Sequence, residues 1–174
     1  RWHLPPGPYD ARGVTVGRLL SHTAGLTDDL GYMGFVDPGD VQTLEDSLTR
    51  AADPRLGADG IVVLGQDPGA GWRYSGGGFT LLQLLIEEVS GQSFPDYMRG
   101  RVLRPLGMVH SGYVLADVDQ RALAVSYDAG GSADPFRHYT ALAAASLYST
   151  AGDMAHFLAA QHPGSLGESV GRGV

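Results

Sequence analysis

The chain has 174 residues, 43% of them apolar, and a net charge of −7, enough for one sizeable core and too acidic for an electrostatic nucleic-acid footprint. Without cysteine it forms no disulfide or thiolate metal site, and no apolar run approaches the roughly 20 residues of a membrane-spanning helix. All 12 basic residues are arginines.

Residues 1–13 are rich in Pro and Gly and predict an extended lead-in. Thr15 can cap a short helix running through Ser21, with Val16, Leu19 and Leu20 inward and Gly25 ending the segment. His22 invites a reading as base or ligand, but no second His, Asp or Glu stands at ligand spacing. It is therefore read as a residue that fixes the turn by hydrogen bonds.

Residues 27–39 form a loop rich in Asp and Gly, where Tyr32, Met33 and Phe35 either line a cleft or cover the core. A helix is predicted from Asp40, with Val41, Leu44 and Leu48 on one face, ending before Asp53-Pro54. Ile61-Val-Val-Leu64 is a short apolar run that periodicity leaves open between helix and strand.

The chain then reads Asp67-Pro-Gly-Ala-Gly-Trp-Arg-Tyr74-Ser75-Gly-Gly-Gly-Phe79. A Pro-Gly turn is followed by the aromatic pair Trp72 and Tyr74, and three glycines predict a loop free to adopt unusual φ. From there Phe79, Leu82, Leu85, Ile86 and Val89 make one helical stripe, with Leu82, Leu85 and Ile86 expected at the heart of the core. A Tyr-Ser pair at the mouth of a buried helix suits a catalytic hydroxyl. The glycine run lacks the lysine and spacing of a phosphate-binding loop, and no Gly-x-Ser-x-Gly elbow occurs.

Beyond it, Gly91 suits the C′ position and Ser93 an N-cap, opening a helix over 94–103 with Phe94, Tyr97, Met98 and Val102 apolar, stopped ahead of Pro105. Residues 109–140 predict a long surface excursion with short strands near Val114 and Val125. Ala141 to Tyr148 is a small-residue run suited to close backbone packing. Thr150-Ala-Gly-Asp153 fits a capping box with Asp in place of Glu, opening a helix that uses Met154, Phe157 and Leu158 and closes at His162-Pro-Gly. Ser146, Ser149 and Thr150 are read as caps or as hydroxyls beside the site, and residues 165–174 as a frayed tail.

Four ordered segments carry a resemblance. They are Val14-Thr-Val-Gly-Arg-Leu-Leu-Ser-His-Thr-Ala-Gly-Leu26, and Pro68-Gly69-x-x-Trp72-x-Tyr74-Ser75-Gly76 with the helix through Gly91-Gln-Ser-Phe94. Arg104-Pro-Leu-Gly-Met108 and Ser146-Leu-Tyr-Ser-Thr-Ala-Gly-Asp153-Met-Ala-His-Phe-Leu158 follow. Together they resemble the serine β-lactamase and penicillin-binding-protein-like family, in the branch of class C enzymes, D-alanyl-D-alanine carboxypeptidases and related esterases. The resemblance implies a mainly α chain within an α+β parent. It would be the helical part of a β-lactamase/transpeptidase-like fold with most of the antiparallel sheet missing, residues 1–174 forming one incomplete domain. It implies Tyr74 as a catalytic proton relay, Ser75 and Gly76 as substrate-binding positions, a small-molecule or peptide substrate, and neither metal nor cofactor. Read locally, Tyr74 could equally be a buried phenol satisfied by backbone.

The departures are specific. The family's Ser-x-x-Lys is missing, and arginine cannot take the lysine's place because a guanidinium stays protonated. Ser47-Leu-Thr-Arg50 has the spacing without the base, no Lys/His-Thr-Gly occurs, and Gly76 stands where the family has asparagine. The expectation is an inactive fragment of an acyl-enzyme hydrolase acting on a β-lactam, a D-Ala peptide or an ester. The alternative is a non-catalytic relative that binds peptidoglycan-like or peptide ligands. A start at Arg1, without methionine or signal peptide, reads as the interior of a longer protein or as a degenerate relative. Substrate, compartment and oligomeric state stay open.

Overall fold

The computed structural model describes residues 2–28, 34–49 and 62–162. Helices dominate, and the only sheet among the described residues has two strands. The chain divides into two compact units, one of residues 1–85 and 126–145, the other of residues 86–125 and 146–174. Neither is continuous in sequence.

In the first unit, helix α1 spans Val16–Leu20 and starts as its cap dictates, with Thr15 Oγ1 accepting the Arg18 N–H at 3.3 Å. Only Leu19 turns inward; Val16 and Leu20, expected inward, are exposed, because a helix of five residues has one core-facing position per turn. Strands β1 (Leu26–Thr27) and β2 (Val63–Leu64) pair antiparallel, Leu26 opposite Leu64, so the last two residues of the open apolar run are a strand, and Ile61 lies outside the described residues. Gly25 introduces β1 at φ +79°, and a Cβ there would lie 2.4 Å from the Gln66 carbonyl oxygen. Only glycine meets both demands. Helix α2 is Leu44–Thr49, not a helix from Asp40: Asp37 caps a separate short turn over Pro38–Asp40, and Thr43 then caps α2. Leu48 is buried with Leu19, Leu26, Val62, Leu64 and Leu82 in one apolar cluster. The predicted end of that helix near Asp53, and Tyr32 and Met33, lie outside the described residues.

Helix α3, Gly76–Ser90, begins before the stripe that predicts it. The three glycines are its first turn, none at positive φ, which corrects the expected loop. Their small size is what the site uses: a Cβ on Gly77 would lie 2.5 Å from Val62 Cγ2. The buried side runs Gly76, Gly77, Thr80, Gln83, with Leu82 beside it, so the core register is also corrected. Leu85 is 41% exposed and Val89 79%, and Ile86 is half-buried. The polar members are satisfied. Thr80 Oγ1 donates to the Gly76 carbonyl, and the Gln83 amide donates to the Thr140 carbonyl while accepting the Ala143 N–H. Helix α5, Leu142–Ala145, lies in that small-residue run.

In the second unit, Gly91 stops α3 at φ +66° with its N–H on the Glu87 carbonyl, and Ser93 caps helix α4, Phe94–Met98. A π-type turn over Arg99–Leu103 continues it, closed by the Arg104 N–H on the Arg99 carbonyl, and ends ahead of Pro105 as expected. Leu103, Leu106 and Met108 form a small core flanked by Val102 and Tyr113. The excursion over 109–140 is irregular as expected, but no strand forms at Val114 or Val125. An isolated bridge pairs Gly112 with Tyr148 here, while that of Tyr127 with Ala133 belongs to the first unit. Helix α6, Ala151–Ala159, is capped by Thr150, whose Oγ1 accepts the Asp153 N–H. Met154, Phe157 and Leu158, expected to pack inward, are exposed among the described residues. The buried residue of α6 is Asp153.

Candidate active site

The site is assembled where the segment after β2 is lashed to the turn after α1. Gly25 O accepts from Gly65 N at 2.9 Å and Gln66 N at 3.3 Å, Thr23 O accepts from Gly69 N at 2.8 Å, and His22 O accepts from Arg73 N at 2.8 Å. Gly69 sits at φ +93° in the Pro-Gly turn, as the second central residue of such a turn requires. Four backbone bonds thus carry the chain along residues 22–25 and deliver it at Tyr74.

From there the first turn of α3 is locked twice. Ser75 Oγ accepts the Gly78 N–H at 2.9 Å as an N-cap, and Asp28 Oδ2 accepts the Gly77 N–H at 2.6 Å. Both acceptors meet N–H groups that an α-helix leaves unpaired at its start, and the Asp28 charge also suits the positive end of the helix dipole.

His22 lies at the centre. Its Nδ1 accepts the Ser75 N–H at 3.2 Å, and its ring meets Tyr74 at 4.8 Å between centroids, Phe79 at 5.3 Å and Trp72 at 6.0 Å. The expected structural role of His22 is what the geometry gives. Tyr74 itself is 62% exposed and Trp72 69%, so Tyr74 is not the buried, backbone-satisfied phenol that its local sequence also allowed. Ser75 and Gly76 are buried, the hydroxyl of Ser75 serving the cap and Gly76 forming the first helical residue. A shallow hollow beside them is lined by Leu19, His22, Ala24, Leu26, Arg73 and Ser75.

The sequence reading missed Asp28, which had no signal beyond its place in an acidic loop; its partner is 49 residues away. It also missed the second use of Asp153. While its backbone N–H donates to the Thr150 cap, its carboxylate accepts the His110 N–H at 2.8 Å and the Ser111 hydroxyl at 2.7 Å. Ser149, expected as a cap or site hydroxyl, shares a 2.8 Å hydrogen bond with Ser111, and Ser146 is buried. That network belongs to the second unit and ties α6 to the 110–111 turn. Among the described residues no group of three or more His, Asp or Glu side chains could hold a metal ion, and no helix is long and apolar enough to cross a membrane.

A family model described as Beta-lactamase matches residues 2–172. Penicillin-binding protein 4* of Bacillus subtilis is 35% identical over 109 residues, covering 62% of this chain and 22% of that protein. Among solved structures, a penicillin-binding protein from Bacillus halodurans superposes with a TM-score of 0.61 at 28% identity, covering 87% of this chain and 48% of that one. D-amino acid amidase from Ochrobactrum anthropi SV3 gives 0.63 at 26% identity, covering 83% and 42%. The chain therefore spans less than half the length of each of these proteins.

Proposed function

Because the chain belongs to the beta-lactamase family, we propose that it is the helical part of a serine hydrolase that forms an acyl-enzyme on an amide or ester. The nucleophilic serine and its lysine would come from sequence outside these 174 residues, as one incomplete domain. Tyr74 is the catalytic group this part contributes, relaying the proton between nucleophile and leaving group; Ser75 and Gly76, expected as substrate-binding positions, are buried behind it and carry the turn that would present it to substrate. One observation carries the reading. The Tyr74 phenol is displayed outward from a turn locked on both sides, and among the described residues no hydrogen bond of the fold uses its hydroxyl. A packing tyrosine would be arranged the other way round. The names of the penicillin-binding and D-amino acid amidase relatives support a β-lactam or a D-amino acid amide within the proposed substrate class, to which a D-Ala peptide or an ester would also belong.

A second reading is favoured by Gly76 alone. Glycine offers no amide where the resembled motif has asparagine, so a relative that binds peptidoglycan-like or other peptide ligands without turnover fits the same turn. Covalent labelling separates the two. A fluorescent penicillin and a fluorophosphonate should label the full-length protein and leave the 174-residue chain unlabelled. Stoichiometric labelling of a serine in the chain overturns the fragment reading. A full-length protein that carries Ser-x-x-Lys, stays unlabelled and retains peptidoglycan fragments in a binding assay establishes the second.

A further inference from the structure

The segment Val14–Leu26 supplies His22, and His22 is bound on either side of Tyr74. Its carbonyl accepts the Arg73 N–H at 2.8 Å and its ring Nδ1 accepts the Ser75 N–H at 3.2 Å, so one residue brackets the tyrosine by its two neighbours. The ring then lies against the Tyr74 ring, tilted by 35° at 4.8 Å, and against Phe79 at 5.3 Å. His22 is also the one non-glycine residue at positive φ among the described residues, at 56°. A side chain is held there only when its surroundings over-determine it, and here the two hydrogen bonds and three ring contacts do so.

The direction of the ring bond fixes a chemical state. A backbone N–H can only donate, so Nδ1 must present a lone pair, and the proton of the neutral imidazole then sits on Nε2. With a proton on Nδ1, donor would face donor at Ser75. We propose that His22 is the positioning residue of Tyr74: its Nδ1 lone pair holds the Tyr74-Ser75 turn so that the phenol is presented in one orientation. This rests on the role given to Tyr74 above. His22 touches neither substrate nor nucleophile in this proposal; it acts through the tyrosine, whose own hydroxyl the fold leaves unanchored.

Two substitutions split the two contacts. His22→Asn keeps an acceptor atom one bond beyond Cγ, as Nδ1 is, and asparagine tolerates positive φ. His22→Phe keeps the ring and removes the acceptor. In the 174-residue chain, ¹⁵N NMR should find Nδ1 of His22 unprotonated, and the Ser75 amide signal should move in His22→Phe and stay near its place in His22→Asn. In the full-length hydrolase, His22→Phe should slow acylation by fluorescent penicillin by up to about 100-fold, the scale of a misplaced catalytic group, while His22→Asn keeps most of the rate. Because the effect runs through the tyrosine, the double variant with Tyr74→Phe should be no slower than Tyr74→Phe alone.

A proton on Nδ1, an unmoved Ser75 amide in His22→Phe, or losses that multiply in the double variant each overturn the positioning role and leave the catalytic reading of Tyr74 standing. Full activity in Tyr74→Phe removes the catalytic reading, and the positioning role falls with it. Should His22→Phe fail to fold, the wild-type ring nitrogens and His22→Asn decide: a folded His22→Asn as slow as His22→Ala overturns the proposal.

Discussion

Replacing Tyr74 by Phe removes one oxygen from a side chain that is 62% exposed, so folding stability should change by less than about 0.5 kcal/mol in a denaturant melt. Acylation by the full-length protein should fall by about 10²–10⁴-fold, the usual contribution of a positioned acid or base. Full activity with unchanged stability would leave Tyr74 an ornament of the aromatic cluster. Two neighbouring glycines give a sharper contrast. A Cβ at Gly77 would meet Val62 Cγ2 at 2.5 Å, so Gly77→Ala should cost about 1–3 kcal/mol. At Gly78 the nearest atom would be 3.5 Å away, so Gly78→Ala should be neutral or stabilise by up to about 1 kcal/mol through helix propensity. Equal losses at both positions would mean that α3 does not approach Val62 as described. Tyr113 gives a pH test. Burial raises its phenol pKa above the ordinary value, so the folded state holds that proton to higher pH than the unfolded chain does. The contribution is complete below the unfolded phenol's range near pH 10 and is lost as pH rises through the folded value. Stability of Tyr113→Phe should therefore fall less between pH 9 and pH 11 than that of the unsubstituted chain, and parallel curves would contradict the burial. At this scale the Pro-Gly turn ahead of Tyr74 was legible, because turn chemistry is local, whereas the Ser75 cap was not foreseen because the glycines read as a loop. Asp28 and the partner of His22 were not, since each depends on a residue about 50 positions away.

Helix α3 shows where a periodic pattern can mislead about register. Leu82 is 8% exposed and Leu85 41%, so Leu82→Ala should cost about 2–5 kcal/mol while Leu85→Ala costs less than about 1 kcal/mol. The reverse order in paired chemical melts would restore the register that the apolar stripe predicts. The stripe names a helix correctly but assigns its buried side to the wide leucine face. Gly76, Gly77, Thr80 and Gln83 are inside instead, because close backbone approach and two side-chain hydrogen bonds to the 140–143 segment are available there. Hydropathy counts apolar atoms and is blind to both. Caps fared better: Thr15, Ser93 and Thr150 each accept the N–H that their positions predict, since the donor lies three residues away on the same helix. The strands expected at Val114 and Val125 did not form, and among the described residues neither segment has a partner strand.

For the whole molecule, the mainly helical class was implied by the resemblance and the single helices by caps and periodicity, whereas the division into two interrupted units was not foreseen, because nothing local marks the return of 126–145. That segment closes the first unit through Thr140 Oγ1 on the Gln42 carbonyl at 2.7 Å, Gln83 on Thr140 and Ala143, and the paired N–H and C=O groups of Phe35 and His138 at 2.8 Å. A chain truncated after Val125 should therefore lose amide protection at Phe35 and unfold at lower denaturant than the full chain. Unchanged protection would show that the first 85 residues are complete without it. The same interruption also sets a timetable. A ribosome delivers residues in order, and the partners of Phe35, Gln42 and Gln83 emerge only after the stretch 86–125 has already left the exit tunnel. Through that interval five hydrogen bonds of the nascent first unit, those of Phe35, Gln42 and Gln83, are made to water instead, so the unit is complete only once residues 126–145 have emerged.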